Sequence, residues 1–100
     1  MKDKLLKIIN HYGLDKQSKY IHSEYFELDE AIIQYEQAKR FMSNVIEFRL
    51  TKQHIAEELA DIQVMLKQFQ YYFDIEDGEI EETMKYKIDR QLDRIEKENK

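Results

Sequence analysis

Two pairs of acids in the chain repeat one another. Glu24 and Glu27 stand three apart, and so do Glu58 and Asp61. An offset of 34 residues carries the first pair onto the second. The same offset lays Ile21 on Ile55, Tyr25 on Leu59, Leu28 on Ile62, Ile32 on Leu66 and Tyr35 on Phe69. Residues three apart on a helix are surface neighbours, and like charges there repel by a few tenths of a kcal/mol per pair. Two such pairs on packed helices would gather four carboxylates in a partly desolvated place. Protonation can relieve that repulsion, but divalent cations that prefer hard oxygen relieve it better. Solvated helix flanks produce the same spacing by coincidence, since 21 of the 100 residues are acidic.

The acids need helices to carry them, and the sequence predicts little else. There are no prolines and only two glycines, whereas a sheet protein needs turn chemistry about every 8–12 residues. A first short helix over Leu5, Leu6, Ile8, Ile9 and Tyr12 should stop at Gly13. Asp15 can cap a second, whose apolar stripe is Ile21, Tyr25, Leu28, Ile32 and Tyr35. A break is expected at Ser43-Asn44, with Thr51 as N-cap of a third helix. That helix carries Ile55, Leu59, Ile62, Leu66, Phe69 and Phe73 in steps of four and three. Asp77-Gly78 should separate it from a last helix striped by Ile80, Met84, Ile88, Leu92 and Ile95. Early Glu79, Glu81 and Glu82 and late Lys97 and Lys100 suit that helix's dipole. The expected fold is all-α: one domain over residues 1–100, an antiparallel bundle of four to five helices completed by dimerisation into a four-helix core.

Composition narrows the function classes. The net charge of −5 argues against a general nucleic-acid binder, which needs a basic footprint. A nucleotide remains open, because a few local cations or a metal held by the acids can handle phosphates. Without cysteine there is neither a disulfide nor a thiolate metal site, as suits a cytoplasmic protein. The opening Met-Lys-Asp-Lys-Leu-Leu-Lys lacks a signal peptide's apolar core, and no run of about 18 apolar residues provides a membrane span. His11, His22 and His54 have no metal-ligand spacing and are expected at surfaces or edges. Asp74-Ile75-Glu76-Asp77-Gly78 places its glycine fifth, where a calcium loop needs it sixth, and reads as an acidic turn between helices.

Taken with their neighbours, the acids resemble the motif of the MazG-like all-α nucleoside triphosphate pyrophosphohydrolases. The first part is Gln17, then Ser23-Glu24-Tyr25-Phe26-Glu27-Leu28 with Ala31-Ile32 following. The second is Glu57-Glu58-Leu59-Ala60-Asp61-Ile62. Lys87, Gln91 and Arg94 fall where members often show Lys, Asn and Arg, so the resemblance spans roughly residues 15–95. Ser23 replaces a common first Glu, and Tyr20 stands where Lys is frequent. Pairing Glu27 with Glu30 would shorten the gap between motifs, but would lose both the Leu-x-x-Ala-Ile match and the 34-residue correspondence.

The resemblance implies cleavage between the α- and β-phosphates of a nucleotide, giving a monophosphate and pyrophosphate. It implies Mg²⁺, or Mn²⁺, held by Glu24, Glu27, Glu58 and Asp61. Glu57 or Glu30 would orient the attacking water. Gln17, Tyr20, Lys87, Gln91 and Arg94 would contact the substrate. Two other readings stay open: an idle relative that binds a nucleotide or a partner protein, and a purely structural bundle. Apolar residues left off the main stripes, among them Phe26, Ile33, Phe41, Val45, Ile46, Phe48, Leu50, Met65 and Tyr72, predict a homodimer or larger homo-oligomer.

Overall fold

A computed structural model describes residues 1–41 and 45–99. The described residues form four helices and no strand: α1 Lys2–Tyr12, α2 Leu14–Phe41, α3 Val45–Tyr72 and α4 Asp77–Glu98. None is long and apolar enough to cross a membrane. The all-α expectation holds.

Gly13 joins α1 to α2 alone. Its N–H donates to the Ile9 carbonyl at 2.7 Å, and its own carbonyl accepts from Gln17 N–H at 3.1 Å. At φ 91° it occupies the left-handed region that favours glycine. With Gly13 opening α2, Asp15 falls inside the first turn rather than at the cap. The expected break at Ser43-Asn44 lies outside the described residues. Thr51 does not cap α3, which already runs from Val45. The Thr51 hydroxyl instead donates to the Phe48 carbonyl at 2.6 Å, the back-bonding that lets threonine sit within a helix.

Helix α3 ends in a Schellman turn. Ile75 N–H reaches Gln70 O at 3.0 Å and Asp74 N–H reaches Tyr71 O at 3.1 Å, with Asp74 at φ 57°. The acidic turn thus falls at Phe73–Glu76, and Asp77-Gly78 belongs to the first turn of α4. Asp77 locks this junction. It accepts from Lys67 Nζ at 2.6 Å, Gln70 Nε2 at 2.8 Å and the Tyr71 hydroxyl at 3.2 Å. Lys67 first, then Gln70, hold its carboxyl down at about 2 from an ordinary 3.8. A depressed carboxylate stabilises the folded junction above its unfolded value and loses that contribution as pH falls toward 2. Carboxyl NMR titration should place Asp77 near 2, and Lys67→Met should return it toward 3.8.

Helices α2 and α3 form an antiparallel hairpin. Gln17 meets Gln68 at one end, and the Tyr35 and Phe48 rings lie 5.0 Å apart at the other. Helix α1 crosses the hairpin, chiefly against α3, and adds Leu5 and Ile9 to a core of Ile21, Ala31, Ile62 and Met65. The seam runs through Gln17, Ile21, Glu24, Leu28, Ala31 and Tyr35 on α2. On α3 it follows Phe48, Thr51, Ile55, Glu58, Ile62 and Met65. These are steps of three and four, the period of a coiled-coil-like pair.

That seam corrects the expected stripes. Ile21, Leu28, Ile55 and Ile62 face inward, but Glu24, Ala31, Glu58 and Met65 take the places assigned to Tyr25, Ile32, Leu59 and Leu66. The latter four remain 42–46% exposed. Each helix therefore carries a wider apolar face than its neighbour in the chain covers. Beyond the Asp77 junction α4 packs on no other helix, and none of its residues is buried. The radius of gyration of 17.5 Å exceeds the roughly 13 Å of a compact chain this long. Three helices pack together and the fourth stands apart.

Candidate metal centre

Glu24 on α2 and Glu58 on α3 occupy facing places on the seam, one turn from Ile21 and Ile62. Each is a seam position by spacing, so packing α3 against α2 buries the acid together with its apolar neighbours. Glu24 is 4% exposed and Glu58 8%. One carboxylate oxygen from each, with one from the exposed Asp61, lie within 4.8 Å of one another. Glu24 Oε2 and Glu58 Oε2 are fully buried and have no hydrogen-bond partner.

Partners do exist around this pair. His54 Nε2 lies 3.2 Å from Glu58 Oε1, one turn away on the same helix. The Tyr20 hydroxyl bonds to Glu24, and that bond, then the charge of Glu24, raises the tyrosine pKa. Glu27 sits on the exposed rim. Loss of solvent first, and then the charge of Glu58 with a hydrogen bond to it, push the Glu27 pKa up. Asp61 and Glu30 act in the same direction.

Burying an ionised carboxylate oxygen without a donor costs several kcal/mol. Two such oxygens beside a third acid call for a proton or a cation between them. An all-carboxylate donor set is hard, and it suits an oxygen-seeking cation rather than a thiolate- or imidazole-seeking metal. Glu24, Glu58 and Asp61 could together hold a hard cation, and Glu27 lies outside that cluster.

The other site residues are placed differently. Glu57 and Glu30 are exposed and lie outside the three-acid cluster. Gln17 is buried two turns before Glu24, donating to Gln68 Oε1 at 2.9 Å. Tyr20 stands between the two, on Glu24. Lys87, Gln91 and Arg94 lie exposed along α4, and a helix that packs on no other brings none of them to the acids of its own chain. Sequence reasoning set His54 aside for lack of a second histidine, although its four-residue spacing from Glu58 was enough to mark the contact. It also missed Gln68, which pairs with Gln17 across the seam. No protein family, no curated protein and no solved structure matches this chain.

Proposed function

We propose that the protein is a Mg²⁺-dependent nucleotide pyrophosphohydrolase that works as a homo-oligomer. The observation that carries this reading is the pair of buried, partnerless oxygens of Glu24 and Glu58, with Asp61 beside them. A solvated acidic flank would leave these oxygens in water. A structural bundle would place apolar side chains at seam positions. The motif resemblance adds the reaction class, cleavage between the α- and β-phosphates.

Glu24, Glu58 and Asp61 would hold the ion, and Glu27 on the rim would complete the set when substrate arrives. Bound there, Mg²⁺ supplies charge neutralisation to the phosphates and lowers the pKa of a water. Tyr20 donates to Glu24 and His54 meets Glu58, which fixes the two carboxylates from outside. Phosphoryl transfer asks mainly for positioning and neutralised charge, which an all-helical acid cluster can give.

A second copy supplies what one chain lacks. Tyr25, Ile32, Leu59 and Leu66 present an uncovered apolar face, and Ile80, Met84, Ile88, Leu92 and Ile95 present another on α4. Lys87, Gln91 and Arg94 follow one another at steps of four and three beside the α4 stripe. Docking that stripe on a partner's hairpin would bring cations toward acids, a match of charge as well as of apolar surface.

Two measurements test the reading. Pyrophosphate release should be assayed with Mg²⁺ over a panel of nucleoside triphosphates; no release from any of them would leave the idle binding module as the reading to pursue. Mg²⁺ with a nucleotide should also raise the melting temperature. Ligation of the native state alone adds about 2.7 kcal/mol at a hundred times Kd, or roughly 11–22 °C for a domain this size. No shift in calorimetry at millimolar Mg²⁺, with or without nucleotide, would favour the structural bundle.

A further inference from the structure

Helix α4 leaves the hairpin through one short turn and packs on no other helix beyond it. Its direction is therefore decided at its base. Gln70, at the end of α3 and only 8% exposed, meets that base with its backbone and its side chain. Its backbone carbonyl accepts from Ile75 N–H at 3.0 Å. Its Nε2 donates to the Ile75 carbonyl at 3.0 Å and to Asp77 Oδ1 at 2.8 Å. An amide nitrogen carries two hydrogens, and both are used here. One residue thus grips Ile75 at both of its peptide groups and ties the first turn of α4 to the same nitrogen. The N-cap Glu76 adds no side-chain bond of its own to the helix start.

Apolar packing does not fix the angle. Open gaps of about 600 Å³ and about 320 Å³ lie where α3 and α4 diverge, and Gln70 lines both. Leu66, Ile80 and Met84 wall the first, and Phe69 and Phe73 wall the second. A joint resists rotation when its side chains interdigitate, and this one leaves space on either side of the amide. The Lys67–Asp77 ion pair is short, at 2.6 Å, but its side chains are 42% and 60% exposed. Water and salt compete for both charges there. The buried amide has far less competition, and breaking its bonds strands an N–H. Gln70 outweighs Lys67 as the clamp.

We infer that Gln70, acting through Asp77, is the positioning residue that aims α4 and so sets where Lys87 and Arg94 stand. The role of those cations rests on the proposed reaction, whereas the aim of α4 does not. Arg94 lies 17 residues beyond Asp77, roughly 25 Å along a helix. At that length a swing of about 20° at the base carries Arg94 through roughly 9 Å. An arm already held in one direction spares the ordering cost when its cations meet a phosphate or a second copy.

The chain has no cysteine, so spin labels can be attached at Gln53→Cys on α3 and Asp89→Cys on α4, both exposed. Labelled chain is diluted with unlabelled chain, and double electron–electron resonance then reads the distance within one copy. The otherwise unaltered chain should give one narrow distribution. Gln70→Leu keeps the buried volume and removes both N–H groups, and should broaden the distribution about twofold or more. Asp77→Ala, a surface change that leaves the core intact, should do the same and decides the matter if Gln70→Leu does not fold. Lys67→Met should leave the distribution narrow. A role in stability alone would lower the melting temperature without moving these distances. A broad distribution before any clamp residue is changed, an unchanged width in Asp77→Ala, or equal broadening in Lys67→Met would overturn the inference. Where pyrophosphate is released, kcat in the broadened variants should fall about tenfold or more, since misplaced groups cost rate steeply. Broadened distances with full kcat would overturn the positioning role. No release from the wild type removes the proposed reaction and leaves the distances to decide the clamp.

Discussion

Glu58→Gln and Asp61→Asn should each lower Mg²⁺-dependent pyrophosphate release by more than about 100-fold, since even residues that only support metal ligands typically cost 10- to 100-fold. Their effects on stability should diverge. Glu58 is buried with one oxygen lacking a partner, directly across the seam from the equally partnerless oxygen of Glu24. The glutamine amide removes one of the two charges and can donate an N–H to Glu24, so the metal-free protein should melt higher. A gain of about 1 kcal/mol would appear as roughly 4–8 °C in a domain of this size. Asp61 is exposed, so Asp61→Asn should leave the metal-free melting temperature nearly unchanged. Calorimetry in EDTA beside a pyrophosphate assay reads both quantities on one preparation. Full turnover in either variant would remove that residue from the site, and a lower metal-free melting temperature in Glu58→Gln would show that the buried charge is compensated.

The acids were legible because their spacing is tied to the helix. Glu24 and Glu58 share the 34-residue offset of the stripes, so whatever packs Ile21 toward Ile62 must also carry both glutamates inward. Their depth was not legible. Apolar residues were counted as seam and acids as flank, a sound prior for charged groups. The hairpin instead turns each helix so that glutamate, alanine and methionine lie inside while Tyr25, Ile32, Leu59 and Leu66 lie at the edge. A stripe of helical period fixes which residues share a face. It does not fix which edge of a wide apolar face meets the neighbouring helix. The Gln17–Gln68 contact was hidden for the same reason, since nothing local to a buried glutamine announces its partner 51 residues away.

Helix boundaries failed where a residue has two uses. Thr51 can cap a helix or back-bond within one, and the apolar run from Val45 decided for the second. Asp77-Gly78 has the composition of a turn, yet the left-handed position went to Asp74, three residues earlier. Asp77 was then free to join Lys67, Gln70 and Tyr71 at the start of α4. The placement of α4 itself had no signal. Its thin stripe marks an amphipathic helix but names no surface for it, and within the chain it lies open.

At micromolar concentration the protein should scatter as a dimer or a larger closed assembly, not as a 12.3 kDa particle. Some residues expected to be left over are already used: Met65 is buried under α1 and α2, and Phe48 rests on Tyr35. Phe26, Ile33, Phe41, Val45, Ile46, Leu50 and Tyr72 stay exposed as expected, and the hairpin face of Tyr25, Ile32, Leu59 and Leu66 and the stripe of α4 add to the surplus. Fully burying one such side chain is worth about 1.5–3 kcal/mol, so nine half-exposed ones on each copy offer more than the ordering cost of association removes. Twofold pairing makes the contact self-complementary, with each α4 laid on the other copy's hairpin and each hairpin receiving an α4. An aspartate at Leu66 would then be buried twice in the assembly but would stay at the surface of a monomer. Leu66→Asp should therefore yield a folded 12.3 kDa particle with helicity kept, while Ile88→Asp should do the same from the other side of the contact. If Lys87 and Arg94 act across that contact, both variants lose pyrophosphate release along with dimerisation, although neither touches an acid of the cluster. A wild-type monomer that turns over nucleotide would sink the assembly and leave the cations of α4 without a role in the reaction.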